Sequence, residues 1–578
     1  MKPLVTGLVL ALLPCFGLAD DVTKGGVKPG ADTLMLYYAN DPNTINPILA
    51  SDTVSEAFMR YVVDSLADRK MENPDEFEPQ LAEKWEFDEK TLEYTIHLRK
   101  GVKWQAAKLP DGTPLPSREF TSADVKFTFD CIVNKSVDSA SLRSYYEDPD
   151  AKDESEKIKI KVTAVDKYTV KVKWTKPYFQ SKEFTLGIQM IPRHVYSVDA
   201  KGEPISLDIS SEEFAKGFND HWANSMLIGT GPLMFSKWTK NERLELVRNP
   251  DYWGKPFYFS KVVYRNIPNP NTSLKMMLNG ELDWAAIGDK NLYIQTKEDP
   301  AVKAGKAKLV EYDYPGYRYI GWNFKREIFK ERAVRTALAH AIPVQMIIDK
   351  VLYGLGRPLS GPFLPTSTSS DPSLKPLEYD IEKSKKILDD AGWKDTNGNG
   401  IRDKMINGKL YELKFDFMIY ADAPMYKSIA EIVKAEYQKI GVEVQISPAK
   451  WALMLEKLHK KEFDACMLGW AMSWQQDLFQ IWHSSQAEVP ESSNAIGYKN
   501  PELDRLIEEM RTTLDHSRQI ELYHKMHKIL YDDQPYAFLF VDKATSGHQG
   551  RIQNVKFYPI RPCLDEAEWY APVGEARK

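Results

Sequence analysis

The chain has 578 residues, 43% of them hydrophobic, enough to bury a large core and to predict two to four domains. Its 82 acidic and 77 basic residues give a net charge of −5, without a long block of one sign. That balance argues against a footprint for DNA, RNA or an anionic membrane, and nucleic acid is not an expected partner.

The first residues read as an export signal. Lys2 supplies the positive end, residues 4–13 the apolar core, and Gly17-Leu18-Ala19 the small-residue cleavage pattern. The mature chain is expected to begin near Asp20, with 1–19 removed. Cys15 follows Leu12-Leu13-Pro14, a poor match to a lipoprotein box, so cleavage without a lipid anchor is the expectation. Loss of Cys15 leaves Cys131, Cys466 and Cys563, which allow at most one internal disulfide. No later stretch approaches a membrane span.

A strand over 33–39 leads into a loop over 40–47 dense in Asn, Asp and Pro. Alternation of Leu92, Tyr94, Ile96 and Leu98, and again of Val170, Val172 and Trp174, predicts two half-buried strands. Between them a helix is expected to start at Ser122, with Ser122 as its cap, and 139–146 reads as an exposed aromatic loop. Gly229-Thr230-Gly231-Pro232 resembles a phosphate loop only superficially, since it lacks the Gly-Lys-Ser/Thr and feeds a strand.

The second half is more regular. Helices are expected over 331–342 and 344–351 with Pro343 between them, and from Asp380 to a stop at Gly392. Leu413 to Ile419 alternate as a strand, Ile429 to Ile440 mark a helical face ending at Gly441, and Val442, Val444 and Ile446 alternate again. This βαβ pattern predicts a parallel sheet whose ligands lie beyond the strand C-terminal ends. A helix with Trp451, Met454 and Leu458 then feeds a short buried strand, Ala465 to Leu468, which breaks at Gly469 into a segment carrying Trp470, Trp474 and Trp482. Such a cluster suits a ligand wall, and ordinary core packing explains it equally well.

Signals for chemistry are weak. No nucleophile elbow, Cys-x-x-Cys or His-Glu-x-x-His occurs, so no catalytic set is recognisable. Glu521, His524 and His527 share a helix face at metal-ligand spacing, a triplet that charged helices also produce by chance. Asp395, Asn397 and Asn399 fit the opening of a calcium loop, but Ile406 stands where the bidentate Glu belongs, and the same residues make plain turns.

Several motifs together carry a resemblance. Pro79-Gln80-Leu81-Ala82-Glu83-Lys84-Trp85, Arg99-Lys100-Gly101-Val102-Lys103-Trp104, Gly229-Thr230-Gly231-Pro232, Asn249-Pro250-Asp251-Tyr252-Trp253 and Ala391-Gly392-Trp393 resemble the extracellular solute-binding proteins of the peptide type, over about 34–569. These are the periplasmic oligopeptide- and dipeptide-binding components of ABC importers. The resemblance implies an α/β fold of the type II periplasmic binding class, two lobes with a hinge plus an extra inserted domain. Lobe I would take 20–63, 185–310 and 541–578, the extra domain 64–184 and lobe II 311–540. It further implies a monomer without cofactor or catalysis, exported to the periplasm, that encloses peptide and docks on a membrane permease. Solutes such as a nickel chelate, haem or an oligosaccharide are the alternatives within the class, and an exported hydrolase the alternative outside it.

Carried over by position, Ser51-Asp52-Thr53 and Gly469-Trp470-Ala471 match the two edges that pair with peptide backbone, and Tyr145, Trp451 and Asn494 match other pocket positions. Members that grip a free amino group carry Asp where this chain has Ser473. Asp477 is the nearby acid expected to substitute, unless the ligand presents no free amine.

Overall fold

The computed structural model describes residues 32–148, 151–153, 156–205, 208–489 and 491–572; the expected leader and Cys15 lie outside them. Three sheets organise the chain. A four-stranded sheet places Thr33–Tyr38 parallel to Lys261–Asn266, followed by Arg243–Arg248 and Leu233–Thr239 in antiparallel order. A second antiparallel sheet runs Ala82–Asp88, Glu93–Leu98, Thr169–Trp174, Ile160–Asp166. Tyr94, Ile96 and Leu98 alternate inward from it with Val170, Val172 and Trp174, so one face is buried beside the helix Ser122–Val133.

The third sheet is eight-stranded and mixed, and the strand Tyr536–Gln549 joins its two halves. Its early residues pair antiparallel with Gly316–Trp322 and its later ones with Ala307–Asp313. Two adjacent strands thus connect the two lobes of an α/β clamp. The βαβ expectation holds in register: Lys414–Tyr420 lies parallel to Glu443–Ala449, with the helix Pro424–Gln438 crossing between them. Gly441 follows that helix at φ 76°, a left-handed conformation that glycine adopts without a Cβ penalty.

Each half has its own core. Leu34, Leu244, Leu246 and Trp569 belong to one; Trp322, Leu388, Trp393 and Val433 belong to another. A third cluster runs from Trp104 and Trp174 in the antiparallel domain to Trp482 and Tyr536 in the lobe formed by the eight-stranded sheet, so apolar packing is continuous across that boundary.

Several local expectations change. The cap of Ser122–Val133 is Thr121, in a capping box with Asp124, while the Ser122 hydroxyl donates to Asp166 O. Leu92 sits in a turn at φ 56°, outside the strand. The 139–146 segment contains the short helix Ala140–Arg143, and Tyr146 is fully buried with its hydroxyl donating to Phe184 O at 2.7 Å, so of its two tyrosines Tyr145 alone is exposed. Gly229 and Gly231 are close-approach positions: a Cβ would stand 1.6 Å from Val62 O and 2.5 Å from Tyr61 O. That contact explains the glycines without any phosphate.

The strand 465–468 does not break at Gly469 but continues to Ala471. A Cβ at Gly469 would meet Arg318 Nη1 at 2.5 Å and Tyr317 O at 2.9 Å, so glycine is required by the neighbouring strand.

Candidate ligand cleft

A cleft of about 890 Å³ lies where the three parts of the chain meet. Its walls come from the helix Thr53–Met59 and the residues after it, the short ribbon of Ala67–Arg69 and Phe77–Pro79, the segment around Tyr252 and Trp253, and Met472 to Gln475 directly after the Ala465–Ala471 strand. Tyr145 and Phe184 stack in its wall with ring centroids 3.8 Å apart. Arg99 lies over the Trp253 ring at 4.4 Å.

Next to the cleft the Ala465–Ala471 strand offers a bare edge. Its register with Gly316–Trp322 is bracketed by Met472 N donating to Pro315 O (2.8 Å) and Asn323 N donating to Asp464 O (2.9 Å). Hydrogen-bonded pairs alternate along an antiparallel ladder, so Trp470 turns its main-chain groups toward Tyr317, whereas Gly469 and Ala471 turn theirs to the other side. There, Lys414–Tyr420 pairs only with Ala465 and Cys466. No strand among the described residues covers the edge at Gly469 and Ala471.

The tryptophans divide by role. Trp482 is fully buried, 4.6 Å from Tyr536 by centroid, and is core. Trp470 is half-buried, its ring parallel to Tyr319 and its Nε1 3.5 Å from Tyr536 Oη, so it stands on the same face of the strand. Trp474 lines the cleft and donates to Asp75 Oδ1 at 2.7 Å. Trp451 begins its helix at a strand C-terminal end, half exposed, edge-on to Tyr420.

Other sequence-selected residues prove to be structural. Asp52 caps Thr53–Met59, accepting from Val54 N and Ser55 N at 3.0 and 2.9 Å, and neither it nor its exposed neighbours Ser51 and Thr53 lines the cleft. Asn494 has no exposed surface: its amide donates to His483 O and Tyr498 O and accepts from Tyr498 N, leaving it nothing to offer a ligand. Asp477 accepts from Phe479 N and stands 3.0 Å from Arg511 Nε, a charge contact rather than an aligned hydrogen bond. Its charge is therefore already matched, and Ser473 rather than Asp477 lines the cleft.

Neither metal candidate converges. Asp395 accepts from the backbone of Gly398, Asn399 and Gly400, Asn397 accepts from Asn399 N, and Asn399 accepts from Ile401 N, a set of turns. His527 is buried between Ser360 and Asp371 N, while His524 faces Thr368 O and Glu521 pairs with Arg518. Among the described residues no three His, Cys, Asp or Glu side chains come together as a metal site. Cys131, Cys466 and Cys563 are buried free thiols.

The sequence reading missed the acidic wall. Asp64 accepts at Oδ2 from Thr230 Oγ1 (2.8 Å) and Trp253 Nε1 (3.3 Å), and burial pushes its carboxyl up to about 7. Asp68 and Glu78 are raised too, chiefly by desolvation. The turn residues Asn73-Pro74-Asp75 between two short runs were the available signal for this ribbon.

A two-lobed α/β clamp with an inserted antiparallel domain, a cleft between them and a bare strand edge beside it defines a class of ligand-binding protein. The chain belongs to the bacterial extracellular solute-binding proteins, family 5, whose model, described as the family 5 "Middle" region, matches residues 76–489. It is 28% identical to oligopeptide-binding protein AppA of Bacillus subtilis, over 97% of this chain and 96% of that protein. It is 25% identical to heme-binding protein A of Haemophilus influenzae, over 87% and 86%. Among solved structures, that of AppA from Bacillus subtilis in complex with a nonapeptide superposes with a TM-score of 0.69 at 26% identity, covering 94% of this chain and 100% of that one.

Proposed function

We propose that this protein captures peptides between its lobes and delivers them to the permease of an ABC importer. The observation that carries the reading is the bare edge at Gly469 and Ala471, which opens beside the cleft. An extended peptide adds to such an edge through main-chain groups that all peptides share, while a roomy cleft takes varied side chains. The kinship with AppA supports the same ligand class.

On this reading lobe I comprises 20–63, 185–310 and 541–578, the extra domain 64–184 and lobe II 311–540. The paired strands Ala307–Asp313 and Tyr536–Gln549 act as the hinge, since few other connections cross between the lobes. The mature protein works in the periplasm as a monomer, without catalysis; no helix among the described residues is long and apolar enough to cross a membrane. Tyr145 and Trp470 contact ligand directly, with Trp451 at the mouth.

Native mass spectrometry of the purified protein, followed by calorimetry with a peptide panel, tests the reading. Retained or added masses of peptides are expected. A haem or metal-chelate mass with no peptide binding overturns it, as does turnover of peptides or esters.

A further inference from the structure

We propose that Tyr145 is the open end of a column of stacked rings that reads an aromatic side chain of the ligand, so that the cleft prefers peptides carrying an aromatic residue over peptides carrying an aliphatic one of equal bulk. This selectivity rests on the peptide reading and names the side chain that the cleft singles out.

The column has three members. Tyr178 and Phe184 lie 23° from parallel with centroids 6.3 Å apart, and Phe184 and Tyr145 lie 18° from parallel at 3.8 Å. Tyr178 is 5% exposed, with Trp174 and the Lys159 ammonium packed against its ring, so that end of the column is covered. Tyr145 is 39% exposed and lines the cleft, and among the described residues no ring or cation other than Phe184 stands against it. With Phe184 on one face, the surface that Tyr145 leaves open is its other face and its edge.

The column is also held in place. Phe184 O accepts from the hydroxyl of the fully buried Tyr146 at 2.7 Å, and Tyr178 Oη donates to Gln180 Oε1 at 2.7 Å. A platform fixed in advance loses little rotamer freedom when a ligand settles on it.

The occupant follows from the chemistry of the open face. Aromatic rings pair offset or edge-to-face and gain beyond the area they bury, because the electron-rich face of one meets the positive edge of the other. A saturated ring of the same size offers only area. A guanidinium also stacks on tyrosine, but two cations already stand beside the column. They are Lys159 over Tyr178 and Arg511, whose main-chain oxygen accepts from Phe179 N and whose side chain pairs with Asp477. Met472, Trp253 and Trp474 line the same cleft, surroundings that suit an uncharged ring.

The experiment uses the intact protein and calorimetry with tetra-alanine in which phenylalanine, cyclohexylalanine or arginine replaces each residue in turn. Burial alone favours cyclohexylalanine, which has the larger apolar surface, so the sign of the difference isolates stacking. At one position or more, the phenylalanine peptide should bind the wild type about threefold or more tighter than its cyclohexylalanine and arginine counterparts. Tyr145→Leu should abolish that preference, and Tyr145→Phe, which keeps the ring and drops the hydroxyl, should retain it; thermal melts establish that both variants are folded. Cyclohexylalanine or arginine bound as tightly as phenylalanine at every position overturns the proposal and leaves the peptide reading standing, as does a preference that survives Tyr145→Leu. If no peptide binds, the peptide reading falls, and N-acetylphenylalaninamide against N-acetylcyclohexylalaninamide in saturation-transfer NMR decides the platform. A stronger response of the aromatic probe with the wild type but not with Tyr145→Leu supports it, and equal responses overturn it.

Discussion

The indole N–H of Trp474 donates to Asp75 Oδ1 at 2.7 Å, tying the segment after the Ala465–Ala471 strand to the turn between Ala67–Arg69 and Phe77–Pro79. Gln475 reinforces the contact by accepting from Arg69 Nη2 (3.0 Å) and from Gln180 Nε2 (2.9 Å). These bonds hold the two sides of the cleft together in the conformation described. A hydrogen bond to a charged acceptor contributes about 1.5–3 kcal/mol, and the half-buried position favours the lower figure.

Trp474→Phe keeps the ring and removes that bond. Ligand affinity depends on the population of the binding-competent state, so the variant is expected to bind about tenfold more weakly, with a more open apo form in small-angle scattering. Unchanged affinity and scattering would remove the latch role from this pair.

Gly229 is expected to admit no side chain at all. Its Cβ would fall 1.6 Å from the main-chain oxygen of Val62, and a backbone atom cannot swing aside as a side chain does. Gly229→Ala should destabilise by more than about 4 kcal/mol, the range reserved for severe core damage. A melting temperature within a few degrees of wild type would contradict the close approach.

Trp470→Ala and Trp482→Ala separate two tryptophans that look alike in sequence. Trp482 is fully buried among Tyr498, Tyr536 and Phe538, and its truncation should lower stability by about 3–5 kcal/mol. Trp470 is half-buried beside the bare edge, so its truncation should cost about 2 kcal/mol of binding and less stability. Melts and calorimetry on both variants check the contrast; a stability loss at Trp470 as large as at Trp482 would make it core.

Periodicity made the regular elements legible. The run from Leu413 to Ile446 carried its own βαβ unit because strand, helix and strand each bury one face and Gly441 ends the helix. Fold and family were legible from motifs spread through the chain, yet those motifs are mostly packing devices, as Gly229 and Gly231 show. The site was less legible. Asn494 and Asp477 have the right chemistry but spend it inside the protein, on Tyr498 and on Arg511, and nothing in their local sequence says so. Asp64, Asp68 and Glu78 acquire meaning only through the ribbon register and the distant donors Thr230 and Trp253.

Asp64 also predicts a pH dependence. Its ordinary value of 3.8 is raised to about 7 in the folded protein, first by burial; Thr230 and Trp253 oppose the rise and Asp68 adds to it. Tyr252 and Asp68 are titratable groups beside it in the cleft wall, and Arg99 lies over the ring of its donor Trp253. Between about pH 4 and pH 7 the folded chain holds a proton on Asp64 that the unfolded chain has released. Stability from this group is therefore fully present at the acid end and declines as pH rises through the window, with a slope approaching about 1.4 kcal/mol per pH unit. Above pH 7 both states are ionised and the loss is constant. Asp64→Asn keeps an acceptor for Thr230 and Trp253 but cannot ionise, so the wild type should lose stability relative to this variant as pH rises across the window. Urea unfolding of both proteins through the window measures the difference, and parallel curves would show that Asp64 is ionised throughout.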